Sequence, residues 1–181
     1  MEADFAVELG AEDESLEFPW AGADRVRYYD LKRQPELLAL IEEARELPAL
    51  GEFLAVANSP TGPFETAKCD AWSSSEISPE EEIFGFPCKF GCYVDLLYSD
   101  ERRFSFPAHE ELVRRWTSLL GKVPEIPSSA EFLVRRCHFQ EAERDGFYIT
   151  QYTFGYGEDV DQARTQWAIG LKLVENVIRQ V

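Results

Sequence analysis

Two long strand-like runs near the C-terminus, Ala130 to Glu141 and Gly146 to Gly155, constrain this chain more than any other feature. Each reads as a long strand on which polar groups sit among large hydrophobics rather than in a clean two-sided pattern, and only Ala142 to Asp145 separates them. The Asp145-Gly146 pair is a hairpin signal, because both residue types tolerate the positive φ angles of tight turns. The segment after the second run is helical. Asp159 suits an N-cap, and Ala163, Trp167, Leu171, Val174, Ile178 and Val181 form one stripe behind it. A sheet with a helix laid against it is the unit from which the rest is read.

Upstream, strands and helices alternate in the same way. Phe5, Val7 and Leu9 alternate, and so do Leu16, Phe18 and Trp20, so residues 1–24 read as an acidic hairpin or arm ahead of a single domain over 25–181. Arg25 to Leu31 reads as a short strand. A helix opens at Pro35 and carries Leu37, Leu38, Ile41, Ala44 and Leu47, with Pro48 breaking or kinking it before a second piece over 50–57. Strands come next at 64–74 and 92–99, then a short one at 104–106. A helix over 107–121 bears Leu112, Val113, Trp116, Leu119 and Leu120.

Strand, helix, strand, strand thus occurs twice, with a closing helix. This predicts an α+β fold, an antiparallel or mixed sheet with its helices mainly on one face. The order of elements is similar to that of gyrase-inhibitor-like effector-binding domains, a likeness of order that no motif accompanies.

Charge narrows the partners. The 181 residues hold 34 Asp plus Glu against 18 Lys plus Arg, a formal net charge of −16. Phosphate backbones and anionic membrane surfaces repel such a chain, so neither nucleic acid nor membrane is an expected partner. The sequence starts acidic, without the basic and then apolar run of a secretory signal, and four cysteines are too few for a disulfide scaffold. A cytoplasmic protein with reduced thiols is expected.

The chemistry-bearing residues are scattered. Cys88 and Cys92 lack the second pair that a zinc knuckle needs, and Cys69 and Cys137 read with them as small buried apolar side chains. No metal or other cofactor is expected. Cys137 and His138 are adjacent on a strand, so their side chains point to opposite faces. On the strand at 64–74, simple alternation puts Lys68, Asp70 and Trp72 on one face with Phe64 and Thr66. Arg136 and His138 share a face of the next long strand with Phe132 and Val134, and Gln151 lies with Phe147 and Ile149 on the last. Tyr148, Tyr152, Phe154 and Tyr156 make an aromatic stripe.

Three functional readings are open. The first is a non-enzymatic binding domain, plausibly homodimeric, holding a small molecule or partner protein against Lys68, Trp72, Tyr93, Gln151 and Tyr152. The second is an enzyme in which His138 is the acid/base, Arg136 holds a small anionic substrate and Asp70 completes the cluster. The third is an acidic inhibitor or decoy whose face, including residues 1–24, blocks a basic partner.

Overall fold

The computed structural model describes residues 1–21 and 28–181. In chain order the strands and α-helices are β1 (Glu2–Glu8), β2 (Ser15–Phe18), α1 (Glu42–Glu46), α2 (Pro48–Ala57), β3 (Phe64–Ser74), β4 (Cys88–Tyr98), α3 (Phe106–Leu120), β5 (Ser128–Phe139), β6 (Arg144–Gly157) and α4 (Val160–Ile178). One mixed sheet runs β1-β5-β6-β4-β3, and β2 pairs with the last residues of β5. The α+β reading holds. β1 and β2 both run parallel to β5, and they pair with it rather than with each other, so the N-terminal segment is built into the sheet edge.

Helices cover one face. Leu54, Val113, Trp116, Trp167 and Leu171 pack there against Cys92, Val94, Phe132, Val134 and Ile149 in a single core. The opposite face carries a smaller apolar cluster of Leu16, Phe18, Leu97, Cys137, Phe139 and Tyr148. The rest of that face is polar and aromatic. α4 lies close to the sheet because β6 presents glycine to it: a methyl group at Gly155 would overlap the backbone of Trp167 and Ala163. Asp159 caps α4 as its sequence implies, accepting from the Gln162 amide at 2.8 Å.

Four local expectations change. The hairpin turn falls at 140–143, with Glu143 at φ 45°, while Asp145 and Gly146 lie inside β6. Gly146 is needed for packing instead, since a Cβ there would sit 2.5 Å from the Arg103 carbonyl. Pro48 breaks the helix and starts α2 as expected, but the segment before it is a 3-10 turn (Pro35–Leu40) followed by the short α1 rather than one continuous helix from Pro35. Of the strand expected over 25–31, residues 25–27 lie outside the described residues, and Tyr28–Leu31 form no strand. Residues 104–106 end a 3-10 turn and open α3, so the second unit has no opening strand there.

Candidate functional site

β3 is an edge strand, and its alternation is broken once. Thr66 pairs with Leu96 and Cys69 with Val94, so Ala67 and Lys68 together oppose Asp95 alone. This is a β-bulge, which inverts the side-chain parity beyond it and re-aims the residues within it. Phe64, Thr66, Cys69 and Ala71 consequently face the helices, whereas Asp70 and Trp72 face the open side. The single face expected for Phe64, Thr66, Lys68, Asp70 and Trp72 is corrected on that ground.

Beside the bulge lies a cleft of about 570 Å³. Its walls are mainly apolar: Trp20, Tyr29, Leu31, Ile41, Leu54 and Tyr93, with Thr66 and Cys69 from β3. Lys68 also lines it. The ammonium lies 5.3 Å from the Trp20 ring centroid, and among the described residues no carboxylate pairs with it within 4 Å. Glu42 and Glu43 stand on the helix side of the cleft. The Trp20 indole N–H donates to the Ala67 carbonyl at 2.8 Å, which fixes the ring across the bulge.

An aromatic strip continues from the cleft across the open face. Tyr93 lies 6.4 Å from Trp72 and 6.0 Å from Tyr152, and Phe154 is 6.1 Å from Tyr152 and 5.9 Å from Trp72, all between ring centroids. All four side chains are half-buried. Gly91 makes the strip possible, because a Cβ there would meet the Phe154 ring at 2.5 Å. At its far end Phe84 stacks on Tyr156 at 4.1 Å, and the Tyr156 hydroxyl donates to Glu81. Burial works against ionisation of Glu81, but hydrogen bonds from Lys89, the Ser78 amide and Tyr156 hold its carboxyl below the ordinary range.

Beneath the strip is a buried polar chain. The Thr150 hydroxyl donates to Asp95 at 2.8 Å, and Arg135 donates to Thr150, to Glu8 at 2.7 Å and to Glu14 at 2.9 Å. Asp95 is only 5% exposed. Burial pushes its carboxyl up to about 7 despite the Thr150 hydrogen bond and the charges of Lys68 and Arg135. Nothing in the alternation of β4 singles out Asp95; its hydrogen-bond partner Thr150 comes from β6, far along the chain.

Of the residues expected at a site, Lys68 and Tyr93 meet in the cleft, and Trp72 and Tyr152 adjoin Tyr93. Gln151 does not join them. It points to the helix side, is fully buried, and donates to the Thr153 hydroxyl. The His138, Arg136 and Asp70 cluster is not assembled. Arg136 and His138 lie at the exposed end of β5, where His138 hydrogen-bonds Asp145 at 2.6 Å across the hairpin. Asp70 is three strands away on the other face, roughly 14 Å at the usual strand spacing. The cysteines are divided too: Cys92 faces the helices, and Cys137 belongs to the open-face cluster. Burial pushes the Cys69 and Cys92 thiols up to about 12, so neither is a thiolate at neutral pH. Among the described residues no group of His, Cys, Asp and Glu is placed to hold a metal ion. No protein-family model, curated protein or solved structure matches the chain.

Proposed function

We propose that this chain is a non-enzymatic, cytoplasmic binding domain whose ligand is a small, largely apolar molecule bearing an acceptor group for Lys68. One observation carries the proposal: the β3 bulge directs the Lys68 ammonium, which among the described residues has no carboxylate partner within 4 Å, into a mainly apolar cleft. Apolar walls with few placed polar groups are the usual form of a small-molecule site. The cleft offers Lys68, Thr66 and a protonated Cys69 as its strand-borne polar groups, a set suited to holding a ligand rather than moving protons. No helix among the described residues is long and apolar enough to cross a membrane.

The test uses anilinonaphthalene sulfonate, an apolar fluorophore with an acceptor group. Wild type should enhance its fluorescence saturably. Lys68→Ala should weaken binding by about tenfold, the effect of one charge-assisted hydrogen bond, and Ile41→Asp should abolish it. Variants that bind the dye as wild type does would exclude the cleft.

A second reading is favoured by the strip of Trp72, Tyr93, Tyr152 and Phe154, which lies half-buried on the open face of the sheet beside Asp70 and Glu131. Aromatic rings beside carboxylates suit a basic segment of a partner protein. Under that reading Trp72→Ala and Tyr152→Ala reduce the affinity for a lysine- and arginine-rich peptide, while Lys68→Ala leaves it unchanged or raises it.

A further inference from the structure

A second cavity, of about 500 Å³, lies where the chain leaves β2 and returns to the β3 edge. Phe18, Pro19, Tyr28 and Pro60 supply its apolar walls, and Glu65 and Arg103 face it with opposite charges. The other charged groups there already have partners. The Lys32 ammonium donates to the carbonyls of Ser59, Gly62 and Phe64 at 3.0, 2.7 and 2.9 Å, which uses all three of its protons. Asp30 accepts from the Arg33 amide and pairs with the Arg33 guanidinium at 3.5 Å. Glu141 is exposed at the rim.

Glu65 and Arg103 are different. Glu65 Oε2 accepts from the Tyr28 hydroxyl at 3.4 Å, and Oε1 has no partner among the described residues. Arg103 donates through Nε to the Asp100 carbonyl and through Nη2 to the Ser99 carbonyl, and among the described residues nothing accepts from Nη1. Its plane is held against the Phe139 ring, 5.2 Å from the centroid. Among the described residues the two groups form no ion pair within 4 Å, although they line one cavity. Burial pushes the Glu65 carboxyl above its ordinary range, and the charge of Arg103 and the Tyr28 hydrogen bond only partly offset it. A cation brought to Oε1 therefore meets a carboxyl short of compensating partners.

We propose that this cavity is a binding site for a zwitterion, a free amino acid with an apolar side chain, whose ammonium meets Glu65 while its carboxylate meets Arg103 and its side chain lies on Phe18 and Tyr28. Arg103 is suited to the carboxylate because a planar guanidinium held at two nitrogens still presents a directed donor edge. The site shares no residue with the Lys68 cleft.

The experiment is calorimetric titration of the full chain with L-phenylalanine, 3-phenylpropionate, which lacks the ammonium, and phenethylamine, which lacks the carboxylate. Expected is binding of L-phenylalanine at least about tenfold tighter than of either analogue, and a loss of about tenfold or more in Glu65→Gln. Lys68→Ala should bind L-phenylalanine as wild type does. Failure of L-phenylalanine to bind, equal binding of either analogue, or unchanged binding by Glu65→Gln would overturn the proposal. The analogue series is read on the unaltered protein, so it stands whatever the variants do to folding.

Discussion

Replacing Asp95 by asparagine should stabilise the protein at alkaline pH and have little effect at acid pH. The carboxyl is 5% exposed, and burial holds it up to about 7, whereas an aspartate in an unfolded chain ionises near 3.9. Its folded-state pKa is raised. The neutral form thus favours the folded state at low pH, and that stability is lost as pH rises from about 4 to about 7. Each unit of separation is worth about 1.4 kcal/mol, so the whole loss is on the order of 4 kcal/mol. Part of that window lies below the sequence pI of about 4.5, where the chain is close to uncharged. Measurements at about pH 5.5 and about pH 8.5 keep the protein anionic and still span a loss of about 2 kcal/mol. Many other carboxylates titrate in wild type and variant alike, so the informative quantity is the stability difference between the two. Urea denaturation followed by tryptophan fluorescence should show Asp95→Asn gaining about 2 kcal/mol on wild type between the two pH values. A constant difference would mean that folded Asp95 is already ionised at pH 5.5. The Thr150, Lys68 and Arg135 interactions would then outweigh burial, and the reasoning would be refuted.

Two further outcomes rest on the same structure. Asn58 is buried and holds the α2 end to β3, donating to the Leu54 carbonyl and the Thr66 hydroxyl at 2.8 Å each and accepting from the Thr66 amide at 3.0 Å. Asn58→Ala should cost roughly 2–4 kcal/mol in urea denaturation, because it leaves those partners buried without a bond; a cost below about 1 kcal/mol would show that water replaces the amide. Cys92 and Cys137 are buried with raised thiol pKa values. Iodoacetamide at neutral pH, read by peptide mass mapping, should therefore leave both unlabelled until denaturant is added, and rapid native labelling of either would contradict the packing.

Element types were largely legible in the sequence, because they rest on periodicities that survive folding. The stripe behind Asp159 could only be a helix with one covered face, and β5 and β6 are long runs rich in large apolar and aromatic residues bounded by turn residues. The sites were legible only in part. Tyr93 and Tyr152 lie together because they are register partners on the adjacent strands β4 and β6, and Trp72 joins them from β3 beyond the bulge. The bulge at Ala67 and Lys68 left no mark in composition, since neither is a turn residue, and it inverted the faces of half of β3. Glu65, Arg103 and Asp95 were missed for a related reason. Their surroundings come from residues far away in the chain, such as Tyr28, Thr150 and Arg135, and no local pattern records such meetings.

Both cavities lie at the β3 edge, and the protection of that edge explains their position. An edge strand with free backbone groups invites pairing with another chain. The opposite side of the sheet is completed by β1 and β2, but β3 is covered by irregular chain: Trp20 caps the Ala67 carbonyl and Lys32 caps that of Phe64. These two side chains satisfy the strand's polar atoms and block a further strand without filling the space a strand would fill. Irregular segments have no repeating ridges with which to pack, so gaps remain on either side of the caps. One gap opens towards the helices and is mainly apolar; the other opens towards the β2 end and holds Glu65 and Arg103. A protein that solved the edge problem with one more β-strand would have neither cavity. The two side chains that cap these β3 carbonyls thus each line one of the cavities, Trp20 the first and Lys32 the second.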